Sequence, residues 1–312
     1  MRIWQAGTCV RVAAPAKINL FLEILARRDD GFHELETVMV AVSLYDTVEL
    51  TATDDGRIGL TCRVPSPQQV SRGRDASANV FSGLSAGPDN LVLQALSRLQ
   101  RASGTPYGAK AHLVKRIPLQ AGLGGGSSDA AAALLAANRA WKLNWKPSRL
   151  MRLAEELGSD VPFFLAEGAA ICRGRGEQIT RIPHVVAWPV LIAHPGRGLS
   201  TAQVYAHCRV PRQPRSASPV LAALATGSRS KMAAAMFNRL QQPAEALRPE
   251  TRALQDNFKQ WIGQGYQMTG SGAAYFGVCP SLRYARRAAR WLRSQGWPFA
   301  TAARTVAPVA RT

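Results

Sequence analysis

The sequence predicts an α+β protein of two domains, and three observations carry that reading. The chain has 312 residues and 46% hydrophobic content, enough for a real core in one large or two ordinary domains. Short apolar and alternating stretches bounded by turn residues are mixed with helix-like segments, and no internal repeat is visible. A second block with a buried-strand pattern opens near residue 185, so the expected domains are 1–182 and 183–312.

Along the first block, residues 10–13, 17–26 and 35–52 read as strands, and the Asp-Gly within "DDGF" at 29–32 marks a hairpin turn. Residues 53–89 are rich in Gly, Ser, Pro and Arg and read as an irregular insertion. Asn90 is placed to cap a helix through "LVLQALSRLQRAS". "AKAHLVKRIPL" reads as a strand, followed by helices over 127–141 and 147–157. In the second block, "VVAWPVLIAHP" is a buried-strand pattern and the polar, Pro-rich 209–220 reads as a loop. Helices fit 230–240, 248–263 and 281–295, with a strand at "AAYFGVC" and a final strand or loose tail at "TAARTVAPVART".

Composition excludes several classes. No run approaches the roughly 18 apolar residues of a membrane span. The first residues show no apolar core with a cleavage site, so a cytoplasmic protein is expected. The five cysteines are scattered and odd in number, without C-x-x-C spacing, and the five histidines lack ligand spacing. Neither a disulfide framework nor a protein metal site is expected. The net charge of +19 is compatible with nucleic acid, an anionic small substrate or an arginine-rich surface. The basic residues form no block and no aromatic-interleaved motif, so nucleic acid is the least expected partner.

The most informative stretch is "PLQAGLGGGSSDAAAAL", which begins at Pro118. Gly122, Gly124, Gly125 and Gly126 surround Leu123, and Ser127 and Ser128 open an alanine-rich helix. Glycine permits positive φ and close backbone approach. A helix start offers unpaired N–H groups and partial positive charge, so loop and helix together make a phosphate site. A flexible linker is the plainer alternative, but a linker is not normally followed at once by a strong helix. No lysine follows the glycines, so this is not a Walker A loop, and the G-x-G-x-x-G dinucleotide pattern does not fit.

These residues resemble the ATP-binding motif of the GHMP kinase superfamily. "APAKINLFLEI" at 14–24 resembles its N-terminal motif and "MTGSGAAYFGV" at 268–278 its C-terminal glycine motif. "PAKINLFLEILARRDDGFHELETVM" and "LGSDVPFFLAEGAAICRGRGEQI" are most similar to the branch that phosphorylates a cytidine diphosphate-linked polyol. The resemblance covers 9–52, 90–180 and 265–280. It implies a two-domain fold of mixed sheets and helices with the active site in the cleft between domains, and ATP with Mg²⁺ as cofactor.

It further implies that Asp160 is the catalytic base, where the residues alone suggest a loop cap. Lys17, an internal strand lysine, becomes the cation beside it rather than a surface lysine. Asn19 contacts substrate or ties strands together. Asp129 is taken as a helix-start residue, with Mg²⁺ as its other option. Thr269, Gly270, Ser271 and Gly272 form a second loop over phosphates or substrate, or only a tight turn. Phe32 and His33 follow the hairpin turn, where the branch carries Tyr-His against cytosine. Phe32 keeps a stacking face and lacks the hydroxyl; a buried structural pair is the alternative. Thr201 and Tyr205 transfer as further substrate contacts. The branch often has an acidic pair where Arg239 and Gln241 stand. Homoserine- or mevalonate-type kinases, and a non-catalytic nucleotide- or RNA-binding protein on this scaffold, are the competing readings.

Overall fold

The computed structural model describes residues 1–65, 80–166, 168–183 and 185–306. Strands β1 (Arg2–Ala6), β2 (Cys9–Arg27) and β3 (His33–Thr53) form an antiparallel meander that turns at Gly7 and again at the expected Asp30-Gly31. β2 is one long strand, where the sequence suggested two short ones. Its first half alternates buried and exposed, while the run from Ala16 to Ile24 is buried on both faces. Helices cover one side of that run and the second lobe covers the other. Register shifts between Pro15 and Ala16, Asn19 and Phe21, and Ile24 and Ala26 bend the strand past both.

The first sheet runs β1-β2-β3-β5-β4, with β5 at Gly108–Val114 and β4 at Ile58–Arg63. β6 (Ala169–Gly174) pairs with β3, and β7 (Gln178–Arg181) with β6. One face is covered by α1 (Leu91–Ser103), α2 (Gly125–Ala140), α3 (Pro147–Leu157) and α4 (Val161–Ala166). α2 is central. Ala130 to Ala133, Ala136 and Ala137 are fully buried, and their small side chains let its backbone lie close on β2 and β3.

The second sheet is antiparallel, ordered β10 (Tyr266–Met268), β11 (Tyr275–Val278), β8 (Pro189–His194) and β12 (Phe299–Arg304). α9 (Glu250–Ile262) and α10 (Leu282–Ser294) pack on it, around a core that includes Leu254, Phe258, Tyr275 and Leu292. The shorter helices are α5 (Thr201–Ala206), α6 (Ser218–Thr226), α7 (Arg229–Ala235) and α8 (Gln241–Leu247). Among the described residues, strand pairing joins the lobes at a bridge between Val42 and Thr305 and at the parallel pairing of β9 (Phe237–Asn238) with Phe21 and Leu22 of β2. No helix among the described residues is long and apolar enough to cross a membrane.

Several expectations need correction. Part of the expected insertion at 53–89 is strand: Thr53 closes β3, and β4 pairs in parallel with β5. Val80 and Phe81 are buried, while 66–79 lie outside the described residues. The expected helix 230–240 ends at Ala235, because Phe237 and Asn238 gain ladder bonds to β2. The end of the expected loop 209–220 is the start of α6, and Asp160 is followed directly by α4. The helix expected from Ser127 begins two residues earlier, at Gly125. Of the C-terminal stretch, β12 is a strand, and 307–312 lie outside the described residues.

Candidate active site

A cleft of about 1480 Å³ opens between the lobes, and the glycine loop forms its floor. Gly122 and Gly124 have φ of 71° and 67°, and Gly124 is the left-handed N-cap of α2. The N–H groups of Gly125, Gly126 and Ser127 head the helix and have no carbonyl a turn earlier to bond, an arrangement that favours an anion.

Most of the bare backbone also serves the protein's own packing. A Cβ on Gly122 would stand 2.0 Å from the Thr269 carbonyl oxygen, and one on Gly124 would stand 2.9 Å from the Phe164 ring and 3.0 Å from Lys17 Cγ. A Cβ on Gly125 would stand 2.8 Å from Lys115 Nζ. Only Gly126 is exposed, with its nearest neighbour, Leu91 Cδ1, at an ordinary 3.6 Å. The loop is stitched in place on both sides: Lys17 N–H donates to Leu123 O at 2.9 Å, and Ala274 N–H donates to Ala121 O at 3.1 Å.

Lys17 is buried, and its ammonium lies 2.7 Å from Asn19 Oδ1 and 3.4 Å from Asp160 Oδ2. Asp160 sits at the start of α4, whose apolar Phe163 and Phe164 are buried and pin that turn, while the carboxylate remains one-third exposed to the cleft (33%). Asn19 holds its orientation by donating to Thr37 Oγ1 at 2.8 Å.

The second glycine loop closes the opposite wall. Thr269 Oγ1 donates to Asn19 Oδ1 at 3.1 Å and accepts from Asn19 N–H at 3.1 Å. Asn238 Nδ2 donates to Met268 O at 2.8 Å and Gly270 O at 2.9 Å. Thr201 and Ser271 share a hydroxyl contact of 2.8 Å. Gly270, Ser271, Gly272 and Thr201 all line the cleft, as do Pro118, Leu123 and Ser127. Ser128, by contrast, is fully buried beneath the floor, with an unpartnered Oγ.

At the far end, His33 faces Tyr205 with ring centroids 5.3 Å apart. Burial, with help from the positive charge of Arg27, lowers the His33 pKa and favours the neutral ring. Phe32 lies further out on the rim, half exposed at 51%, with the Arg175 guanidinium 4.9 Å from its ring centroid. The residues expected as substrate contacts therefore gather in one cleft. His33, rather than Phe32, is the ring opposite Tyr205.

Asp129 corrects an expectation. It neither caps its helix nor faces the cleft; its Oδ2 accepts from buried Lys115 Nζ at 2.6 Å, and Lys115 also pairs with fully buried Asp46. Burial alone would lower the Lys115 pKa, but the two carboxyls outweigh it and hold it above its usual value. Burial, and then the charge of Asp46 against the attraction of Lys115, raises Asp129 well above the carboxylate range. This triad supports the loop from below, next to Gly125. Where the branch often has an acidic pair, Arg239 forks onto buried Glu23 with both bonds at 2.7 Å, and Gln241 Oε1 accepts from Met268 N–H at 3.0 Å.

Two family profiles and several known proteins match the chain. The profile of the GHMP kinases N terminal domain matches residues 90–168, and that of the GHMP kinases C terminal matches 220–296. A 4-diphosphocytidyl-2-C-methyl-D-erythritol kinase of Pelotomaculum thermopropionicum is 38% identical over 91% of this chain and 94% of its own length. One from Synechococcus sp. strain CC9605 is 38% identical over 92% of each. The crystal structure of a 4-(cytidine 5'-diphospho)-2C-methyl-D-erythritol kinase superposes with a TM-score of 0.75 at 34% identity, covering 94% of this chain and 98% of that one. A homoserine kinase from Cytophaga hutchinsonii, 18% identical with a TM-score of 0.69 over 99% of this chain and 98% of its own, shares the fold.

Proposed function

The chain belongs to the GHMP kinases, within the 4-diphosphocytidyl-2-C-methyl-D-erythritol kinase family, and from that membership we propose the reaction of its cleft: transfer of the γ-phosphoryl group of ATP to the 2-hydroxyl of 4-diphosphocytidyl-2-C-methyl-D-erythritol, a step toward isoprenoid precursors by the non-mevalonate route. The observation that carries this reading is the Lys17–Asp160 pair at 3.4 Å, standing in the same cleft as the head of α2 and the His33–Tyr205 rings.

Phosphoryl transfer needs positioning, charge stabilisation and a prepared hydroxyl. The first-turn N–H groups of α2 receive the phosphate oxygens. Asp160 accepts the proton of the attacking hydroxyl, a contribution of roughly 10²–10⁴-fold on the usual scale of base catalysis. Lys17 keeps Asp160 ionised and offers positive charge as negative charge builds between acceptor and γ-phosphate. Asn19 fixes the Lys17 ammonium.

Among the described residues no group of three or more acidic, His or Cys side chains is placed to hold a metal. The donor set suits an ion carried largely by the nucleotide phosphates. The cleft-lining Ser127 hydroxyl would supply protein oxygen. Bound there, Mg²⁺ would neutralise phosphate charge.

His33 and Tyr205 form the ring surface that meets the cytosine, His33 reading the base edge, with Phe32 at the rim. Thr201 and Ser271, joined to each other, contact the polyol diphosphate. The test is ATP consumption with 4-diphosphocytidyl-2-C-methyl-D-erythritol, homoserine and mevalonate in parallel. Turnover confined to the first supports the reading, and turnover on either of the others instead overturns it.

A further inference from the structure

A second cavity lies away from the cleft and shares no lining residue with it. It holds about 550 Å³ between α10 and β12, and is lined by Arg283, Arg286, Arg290, Arg293, Ala289 and Thr301, with Ala302. The four arginines are offset by 3, 7 and 10 residues, which places them on one stripe of α10 about 15 Å long. None takes part in an ion pair among the described residues. Some arginines elsewhere on the surface do have a carboxylate partner: Arg11 with Glu49, Arg98 with Glu156, Arg173 with Glu36 and Arg248 with Glu250.

Like charges three and four residues apart destabilise a helix. Here one of them is also drawn inward. Arg293 is half-buried and donates to the Ala300 carbonyl, and burial together with the neighbouring Arg290 lowers its pKa. Four guanidiniums around one concavity, with no carboxylate in the lining, are an arrangement that an anion would relieve.

We propose that this cavity binds a compact anion carrying two or more phosphate groups. Guanidinium forks match phosphate oxygens two at a time. The volume is in the range of small-ligand sites. No aromatic side chain is in the lining, so nothing there stacks a base. The phosphates alone are recognised, whether they come from inorganic oligophosphate or from the tail of a nucleotide.

The experiment is calorimetric titration of tripolyphosphate into the full-length protein at physiological salt, where the phosphate floor of the kinase cleft takes one equivalent. One further equivalent binds. The Arg286→Ser, Arg290→Ser variant, changed at two exposed positions, loses about ten- to hundredfold in affinity, the scale of lost charge-assisted bonds. Arg283→Ser gives an independent loss in the same direction, and ATP turnover and melting temperature stay at the parent's values in both. In separate titrations pyrophosphate and ADP compete equally for this site, because only phosphates are read. Absence of the second equivalent, affinity unchanged in both variants, or a single-stranded RNA that binds there more tightly than tripolyphosphate overturns the proposal.

Discussion

Lys17 Nζ and Asp160 Oδ2 stand 3.4 Å apart, one on a strand buried on both faces and the other in the turn immediately before an apolar helix. The lysine is 4% exposed and the carboxylate 33%. The cation is therefore locked by the protein, while its partner stays open to the cleft. Asp160→Asn keeps the shape and removes the base. Turnover should fall by roughly two or more decades with both ligands still bound. Lys17→Met should lose turnover as well. Steady-state kinetics beside equilibrium binding checks both, and turnover within a few-fold of the parent would make Asp160 a structural cap.

The glycines divide into structural and accessible positions, which decides where to probe the phosphate floor. Gly125→Ala drives a Cβ to 2.8 Å from Lys115 Nζ and 3.0 Å from Ile117 Cγ2, so it should destabilise the fold by about 1–3 kcal/mol, the usual range for overpacking. Gly126→Val meets only ordinary contacts and places its branches in the cleft. It should stay folded and lose roughly tenfold or more in nucleotide affinity. Denaturant melts paired with nucleotide titrations separate the two outcomes.

The triad under the loop predicts an asymmetry between its members. Lys115→Met leaves Asp46 and Asp129 buried without a cation, and should cost about 3–5 kcal/mol of stability. Asp129→Asn keeps an acceptor for Lys115 and removes one of two competing acids, so it should change stability by less than about 1 kcal/mol. Urea unfolding of both variants is the measurement. A larger loss in Asp129→Asn would show that its charge is needed.

Much of the site was legible because its signals are local. Glycines ahead of an alanine-rich helix, a lysine within an apolar strand and an Asp-Gly turn can each be read from a few neighbours. Lys115 gives the same signal as Lys17 in "LVKRIP", but its carboxyls lie 69 and 14 residues away. Asn238, which fixes the second glycine loop, sits in a stretch of helical pattern that becomes β9 only because β2 is there to pair with it. Tertiary bonding overrides local propensity at that point. The double duty of the glycines was equally hidden, since Thr269 and Phe164 come from distant parts of the chain.

His194 supplies a pH signature for the fold. It is fully buried, and burial depresses its pKa to about 4 from 6.5, while its Nδ1 accepts from Gly196 N–H at 3.1 Å. The unfolded chain thus binds more protons between those values, and stability declines as pH falls from 6.5 toward 4. The decline amounts to about 3 kcal/mol. Above 6.5 the contribution is fully present. His194→Gln should flatten this part of the acid limb in urea melts taken across the window. An unchanged slope would assign the acid sensitivity to other groups.

The last prediction concerns the base. His33 and Tyr205 stand 5.3 Å apart, close enough to touch each other, so cytosine must either part them or lie against one face. Stacking is worth about 1–3 kcal/mol per base and accepts any base, because every base has a π-face. Selection therefore falls to hydrogen bonds at the base edge, and the neutral imidazole favoured by burial can both donate and accept there. The cytidine diphosphate substrate should bind better than its uridine analogue. His33→Phe should shrink that preference while leaving ATP affinity near the parent's. Phe32, half exposed on the rim, contributes only a face. Phe32→Ala should weaken both pyrimidine ligands about equally, by less than the roughly ten- to hundredfold expected for a fully stacked ring. Lowering pH should charge His33 later than an ordinary imidazole, since burial depresses its pKa, so any loss of the cytidine preference on acidification should be displaced to lower pH. Competition titrations of the two analogues against parent and variants read all of these. If the parent binds both equally, or phosphorylates free methylerythritol as well as the cytidyl compound, base recognition is absent and the cleft is that of a broader small-alcohol kinase.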